Sequence, residues 1–239
     1  MIRIGLLATV LGAAIAGGLG AVGFFGVAPD AEIPLRYGLD GSVSRYGGRW
    51  EAFMLLPAVI AGVGLMLAIL PKIDPRGRNL ARSGPFYLTS WIGVTAVLAA
   101  AQGFVTGQAL GWFAPPALGE TGWDGLTLIL VATMALTAAL GNVMTKARPN
   151  FFAGVRTPWT LSSDLSWDKT HRFVGRAWLA VSVAGVLGCF VAPTGLVVYA
   201  YVSLLLGASA AGVVYSFVVW RDDPNRETLA PDDAGDAAG

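Results

Sequence analysis

Cysteine and histidine each occur once, as Cys189 and His171. One cysteine makes no intramolecular disulfide, and one histidine supplies no histidine cluster for zinc or copper, so disulfide scaffolds and most metalloenzymes are excluded. Charge is scarce as well. Only 13% of the 239 residues are Asp, Glu, Lys or Arg, about half the share found in soluble proteins. The net charge of +1 leaves no basic excess to neutralise a phosphate backbone, so no nucleic-acid partner is expected. What abounds is apolar: 55% of residues are hydrophobic, the mean hydropathy is +0.63, and there are 32 glycines and 13 prolines. In a polar chain so much Gly and Pro would read as disorder. Here it suits membrane helices that pack through small residues, with the lipid bilayer as the first partner.

Each bilayer crossing needs about 20 mostly apolar residues in helical form. Charge-free runs cover 4–27, 52–70, 86–105, 125–145, 177–191 and 195–220. The sequence therefore predicts an all-α polytopic membrane protein with six transmembrane helices. The fifth run is the shortest, and Arg172 and Arg176 before it have stems long enough to snorkel to the interface. Residues 192–194 leave room only for a tight hairpin between the last two spans. The first run exceeds a signal-peptide core, and its one small-residue cut site, after Ala28, precedes Pro29, so it reads as a retained anchor. Lys and Arg concentrate in the N-terminus, the second and fourth loops and the tail, whereas the opposite side holds Arg36, Arg45 and Arg49. That bias predicts cytoplasmic N- and C-termini and an even number of crossings. Trp50, Trp112 and Trp123 fall near the outer boundary and Trp159, Trp167 and Trp220 near the inner one, as an aromatic belt does.

Within the apolar runs there is no Asp, Glu, Lys, Arg or His, which disfavours a proton-coupled transporter. Gln102, Asn142, Thr95, Thr133, Thr137, Ser182 and Ser209 read as interhelical hydrogen-bonding groups. Ala13, Gly17 and Ala21, with Ala14 and Gly18 beside them, predict a narrow small-residue groove on the first span and a close neighbour there. Pro57 removes one backbone hydrogen bond early in the second span and predicts a packing kink unless the freed carbonyl finds a partner. Gly17-Gly18-Leu19-Gly20 lies inside a span, so these are packing glycines rather than a nucleotide loop.

Two loops are richer than connectors need to be. The outer one, 28–50, contains Pro34, Arg36, Tyr37, Gly38, Asp40 and Gly41; its proline and turn residues predict a compact hairpin-like fold, with Arg36, Tyr37 and Tyr46 as a contact patch. The inner one, 146–176, alternates Phe151, Phe152, Val155, Trp159, Leu161, Leu165 and Trp167 with cationic and small polar residues. It reads as an amphipathic cytoplasmic segment lying along the headgroup layer. Thr157-Pro158 suits a helix start, and Ser162 or Ser163 suits a second start for a helix running into the fifth span. On that helix Asp164, Asp168 and His171 have a spacing that would permit a metal ion. With Arg172 four residues after Asp168, they read instead as a salt-bridged surface. No nucleophile elbow, phosphate cradle or metalloprotease pattern appears, so no catalytic, cofactor-binding or metal-binding residue is assigned and no enzyme is expected.

The run Asn150-x-x-x-Gly154-Val155-Arg156-Thr157-Pro158-Trp159-Thr160-Leu161-Ser162, followed by Trp167-x-Lys169-Thr170-His171-Arg172-x-x-Gly175, resembles the signature of the SdpI family of bacterial membrane proteins, named for immunity to a sporulation-delaying toxin. Asn142 fits the same pattern. The outer loop with Ile33-Pro34 and Asp40-Gly41, and 70–75 after the second span, resemble the small membrane domain that often precedes the signature. The outer loop departs from the family in one place: relatives carry a histidine two residues after the proline, and here Arg36, Tyr37 and Gly38 fill that stretch. The resemblance implies a two-helix unit (1–85) and a four-helix SdpI-like unit (86–220); beyond them 221–239, with its Asp residues among Ala, Gly and Pro, is too polar to fold and reads as a solvated, disordered acidic tail. The resemblance also implies a multi-pass protein of the bacterial plasma membrane that protects against a secreted membrane-active peptide toxin and engages a cytoplasmic regulatory protein through 146–176. Arg156, Trp159, Trp167 and His171 are then the residues to test: Arg156 for a helix C-terminus or a lipid phosphate, the tryptophans as headgroup anchors, and His171 for a backbone carbonyl or titration. The alternative is a small-solute permease or channel, which requires polar residues converging at mid-membrane.

Overall fold

A backbone that sits in hydrocarbon must close its hydrogen bonds within its own segment, and the long apolar runs are accordingly helical. The computed structural model describes residues 1–38, 42–73, 83–113, 125–150 and 154–226. Helix α1 spans Ile2–Gly26, α2 Arg49–Ile73, α3 Gly84–Ala109, α4 Gly125–Val143, α5 Pro158–Leu161, α6 Asp164–Gly188 and α7 Thr194–Arg221. A 3-10 turn, Met144–Lys146, extends α4. Among the described residues five helices are long and apolar enough to cross a membrane: α1, α2, α3, α4 with its 3-10 turn, and α7. Helix α6 differs because the expected fifth span occupies only its second half. Its first half carries Asp164, Asp168, Lys169, Arg172 and Arg176.

Helix α1 packs against α2 and α3, α3 also against α4, α4 against α6, and α6 against α7. Successive long helices alternate in direction. One end of the bundle gathers Met1, Ile2, Leu70 and Tyr87, and beside them Phe86, Met144, Ala147 and Trp167. The other end carries an antiparallel hairpin, β1 (Ile33–Tyr37) and β2 (Val43–Gly47), with irregular register around Arg36. Pro34 pairs with Tyr46 in this two-stranded ribbon, where a missing N–H is tolerated because the strands are edges. Ile33 is buried on Phe53 and Ala52, and Arg45 Nη2 donates to both Glu51 carboxylate oxygens (2.7 and 2.8 Å), so the hairpin is seated on the start of α2. The compact outer fold expected from the turn residues is thus a short β-ribbon. Asp40 and Gly41 lie outside the described residues, as do Trp123, Phe151, Phe152 and 227–239.

The face of α1 that meets its neighbours is not the expected one. Ala14 and Gly18 are exposed, and a Cβ on Gly17 or Gly18 would have nothing within 4 Å. The buried row is Gly5, Thr9, Gly12, Ala16, Gly20 and Gly23. A Cβ on Gly5 would meet the Trp91 ring at 2.4 Å, one on Gly12 would meet Thr95 Cγ2 at 2.2 Å, and one on Gly20 would meet the Phe53 carbonyl oxygen at 2.4 Å. This choice has a physical reason. Phe53 lies four residues before Pro57, so its carbonyl is the one that proline deprives of a helical partner. Gly20, having no Cβ, lets the α1 backbone pack onto that oxygen, and α2 runs through Pro57 as one helix. Of the polar residues expected to bond between helices, Gln102, Thr137 and Ser209 do so, whereas Thr133 bonds within its own helix and the Ser182 hydroxyl has no partner among the described residues. Trp91 Nε1 donates to Thr9 Oγ1 (2.7 Å), Gln102 Nε2 to the Ala52 carbonyl (3.2 Å), Thr106 Oγ1 to the Leu19 carbonyl (3.1 Å) and the Tyr201 hydroxyl to Thr137 Oγ1 (2.8 Å).

A methyl group at Gly20 pushes α1 off the Phe53 carbonyl, whereas one at Gly18 enters open space and gains helix propensity. Gly20→Ala is therefore expected to lower stability by roughly 1–3 kcal/mol, and Gly18→Ala to leave it unchanged or raise it by about 0.5–1 kcal/mol. Thermal unfolding of the detergent-solubilised chain measures both; wild-type stability in Gly20→Ala would contradict the packing described.

Candidate functional site

The signature residues fold into two capped helix starts placed against α7. Thr157, in extended conformation, caps α5: its Oγ1 accepts from the Thr160 N–H (3.2 Å), and Thr160 Oγ1 accepts from the Thr157 N–H (3.0 Å). This is a capping box with threonine in the place usually held by glutamate. Pro158 stands at the first helical position, where a missing N–H costs nothing. Thr160 Oγ1 donates onward to the Val155 carbonyl (2.8 Å). Thr157 Oγ1 lies 3.0 Å from Ser216 Oγ, and since Ser216 gives its own proton to the Val213 carbonyl (2.6 Å), Thr157 is the donor. This buried Thr157–Ser216 hydroxyl pair ties α5 to α7. Leu161 and Trp159 are half-buried, Trp159 edge-on to Phe217 with centroids 5.2 Å apart.

Ser163 caps α6, as its sequence position predicts, accepting from the Ser166 N–H (2.9 Å). Its own hydroxyl donates to Asp223 Oδ2 (2.5 Å), whose other oxygen accepts from the Asn225 N–H (2.9 Å). These donors, the Ser163 hydroxyl first, hold the Asp223 carboxyl below the usual carboxylate range. Asp223 is buried, although its composition places it in the solvated tail; the partner that retains it, Ser163, is sixty residues away in sequence. Ser166 Oγ donates to the Ser216 carbonyl (2.8 Å), a second tie to α7.

Trp167 and His171 form the centre. Both are fully buried, their rings stack with centroids 4.0 Å apart, and Trp167 Nε1 donates to the Ala147 carbonyl (2.8 Å). The Val155 N–H donates to His171 Nε2 (3.0 Å), so that nitrogen is unprotonated; the proton sits on Nδ1, which donates to the Trp167 carbonyl (2.8 Å). Gly154 adopts φ +101°, and a Cβ there would lie 2.2 Å from His171 Nε2. Only glycine allows both the backbone turn and the approach of the imidazole. Burial pushes the His171 pKa down, outweighing the Trp167 carbonyl and the nearby Asp168 charge, which raise it.

The remaining signature residues divide between packing and surface. Gly175 meets Gly141 where α6 crosses α4, and a Cβ on either would fall within 2.6 Å of the other's carbonyl oxygen. Thr170 is buried and its hydroxyl has no hydrogen-bond partner among the described residues. Asn150 is buried, with its Nδ2 donating to the Arg148 carbonyl (2.8 Å), and the Arg148 N–H donates to Ser83 Oγ (2.8 Å) at the start of α3. Arg156, Pro158 and Arg172 are exposed, and so is Asn142 near the end of α4. Two expectations are corrected. Trp167 is no headgroup anchor, because its ring is sealed inside the bundle. Asp164, Asp168 and Arg172 form no ion pairs among the described residues, and with His171 turned inward the two exposed carboxylates and the imidazole do not converge. In the hairpin Arg36 and Tyr46 are exposed, while Tyr37 is half-buried beside Phe104 at 6.2 Å. The ties through Ser83, Ala147, Ser216 and Asp223 are invisible in the sequence, since single Ser, Ala and Asp residues carry no pairing pattern.

Protonating His171 sets a second N–H against the Val155 N–H and charges a buried ring. The native pKa lies below the ordinary value of 6.5, so the unfolded chain takes up the proton first. The contribution of this bond is complete above about pH 6.5 and is lost as the pH falls below it. Amide hydrogen exchange of residues 154–161, corrected for intrinsic rates, should accelerate between pH 7.5 and pH 5. Gly154→Ala should show fast exchange at both values; pH-independent protection in the wild type would refute the assigned tautomer.

Residues 146–219 match the model of the SdpI/YfhL protein family. No curated protein and no solved structure matches the chain. The matched stretch begins in the 3-10 turn after α4 and takes in the capped α5, the Trp167–His171 stack, all of α6 and nearly all of α7. Residues 146–219 are thus a unit similar to the SdpI/YfhL protein family, set in a chain whose described residues include five helices of membrane-spanning length.

Proposed function

We propose that this protein is an immunity and signalling protein of the bacterial plasma membrane, protecting the cell from a secreted membrane-active peptide and engaging a cytoplasmic regulator through 146–176. The second half of α6 makes the fifth of six crossings, with both termini cytoplasmic and the hairpin outside. The charge distribution supports this orientation. Among the described residues the signature end carries Arg3, Lys72, Lys146, Arg148, Arg156, Lys169, Arg172, Arg176, Arg221 and Arg226, against Arg36, Arg45 and Arg49 at the hairpin end.

The observation that carries the reading is the division of the signature loop. Trp167, His171, Thr160 and Ser163 are spent on holding the loop in one shape, while Arg156, Pro158 and Arg172 remain on its surface. A loop needed only as a connector would not require an internal lock. Beside it lies a polar recess of about 340 Å³ lined by Ser162, Ser163, Asp164, Asp223 and Asn225. At the far end the hairpin presents Arg36, Tyr46 and the neighbouring Trp50, an amphipathic surface of the kind a membrane-active peptide meets first. Helix α3 touches both: Ser83 and Phe86 reach the signature loop, and Phe104 lies against Tyr37. Peptide binding outside is communicated inward through α3, with two arrangements of its packing as the physical requirement. The reading calls for no catalysis.

Deletion of the gene should reduce survival when the bacterium is challenged with peptides secreted by neighbouring strains. The wild-type allele should restore survival, and Arg156→Ala with Trp159→Ala should restore it only partly. Equal survival of all strains across the panel removes the immunity reading, and solute uptake by reconstituted vesicles would replace it with a permease. Topology is measured separately in a Cys189→Ser background: Tyr46→Cys should react with an impermeant maleimide on intact cells and Pro158→Cys only after permeabilisation. The reverse pattern overturns the orientation.

A further inference from the structure

On the side of α6 away from the Trp167–His171 stack, Lys169, Arg172, Phe173 and Arg176 share one helix face at spacings of three, four and seven residues. With Ala177 and, from α7, Tyr215, they line an open groove of about 520 Å³. The rings of Phe173 and Tyr215 lie 5.2 Å apart and form much of its floor. Asp164 and Asp168 do not line it, and among the described residues none of the three cations makes an ion pair. Three positive charges, of which Lys169 also acts on the Asp223 carboxylate from a distance, therefore stand along the rim of an apolar floor.

We propose that this groove binds the headgroup of an anionic phospholipid, with the phosphate among Lys169, Arg172 and Arg176 and the glycerol and upper acyl chain against Phe173, Ala177 and Tyr215. The chemistry of the lining selects this occupant. A free phosphate or an acidic peptide satisfies the cations but gains nothing from an apolar floor, whereas a phospholipid carries both parts in the same order. The level is right as well. The cations end where the apolar half of α6 begins, at Ala177, which is where an inner-leaflet headgroup meets hydrocarbon and where Tyr and long cationic side chains settle. Each Lys or Arg near an anionic leaflet strengthens attachment by about 1 kcal/mol, roughly fivefold. Site binding at three charges thus exceeds what one interfacial cation achieves.

The full chain, solubilised in mild detergent and equilibrated with equal parts of a phosphatidylglycerol and a phosphatidylcholine, is analysed by native mass spectrometry for retained lipid. The wild type should retain the anionic lipid by roughly tenfold or more over the zwitterionic one. Lys169→Gln, Arg172→Gln and Arg176→Gln combined should abolish most of that preference, whereas Arg3→Gln, Lys72→Gln and Lys146→Gln combined should preserve it. If the groove triple does not fold, each of its single variants should still lose several-fold. No preference in the wild type, or equal loss in both triples, overturns the site in favour of diffuse charge attraction. Displacement of the lipid by millimolar glycerophosphate would show that a soluble phosphate is the occupant and likewise overturn it. The inference needs α6 to meet the bilayer near Ala177. Maleimide labelling of Ala177→Cys and Val181→Cys in the Cys189→Ser background tests that separately: blocked labelling at both with the lipid preference absent counts against the groove alone.

Discussion

Where the chain leaves α4 and has not yet entered α5, its amide groups have no helix to satisfy them, and a buried N–H without an acceptor costs about 1–3 kcal/mol. At Val155 the acceptor is Nε2 of His171, and the order of the signature end follows from that bond. It sets the tautomer of His171, which turns Nδ1–H onto the Trp167 carbonyl. It brings the imidazole flat onto Trp167, whose indole N–H then meets the carbonyl of Ala147. It also leaves no room at position 154 for any side chain. An imidazole suits this position because it accepts on one edge and donates on the other. An amide or hydroxyl of the same reach does not offer both at that separation while also presenting a flat face for stacking.

The same accounting governs the rest of the bundle. Apolar side chains gain nothing by leaving lipid for one another, so the helices associate through close packing and a small set of polar contacts. At the α1–α2 contact this takes the form of glycine against the carbonyl that Pro57 sets free. At α4–α6 it is Gly141 against Gly175, backbone to backbone. Between these close approaches, Thr9, Gln102, Thr106, Thr137, Ser209 and Ser216 each hold or receive a bond from another helix or from the loop. Polar residues used in this way stiffen a bundle and leave few to line a solute path.

Much of the outline was legible from local chemistry. The apolar runs became helices because length and hydropathy leave a spanning chain no other choice. Thr157-Pro158 and Ser163 became helix starts because a capping hydroxyl acts on N–H groups only two or three residues away. The hairpin followed from turn residues flanking 33–37 and 43–47. Misreadings arose where several faces of one helix are equally plausible. Helix α1 is small and apolar all round, so a row of Ala and Gly at one spacing marks a groove no better than the adjacent row. The deciding factor was the Phe53 carbonyl on a different helix. Asp223 likewise reads as solvated from the composition of its neighbourhood, and its partner Ser163 is separated from it along the chain by two helices.

By itself, then, the sequence determined that the chain has the long apolar helices of a membrane protein, roughly where they begin and end, which end is basic, and that 150–175 resembles a family signature. These depend on properties summed over nearby residues: hydropathy over twenty, caps over three, charge over one loop. Only the tertiary structure decided that Trp167 and His171 face inward, that Gly20 and not Gly18 meets a neighbour, and that Lys169, Arg172 and Arg176 stand together above an apolar floor. Each of those depends on which atom of a distant segment arrives within about 3–4 Å, the reach of a hydrogen bond or a van der Waals contact. Sequence patterns extending over one helix contain no information about a partner that another helix supplies.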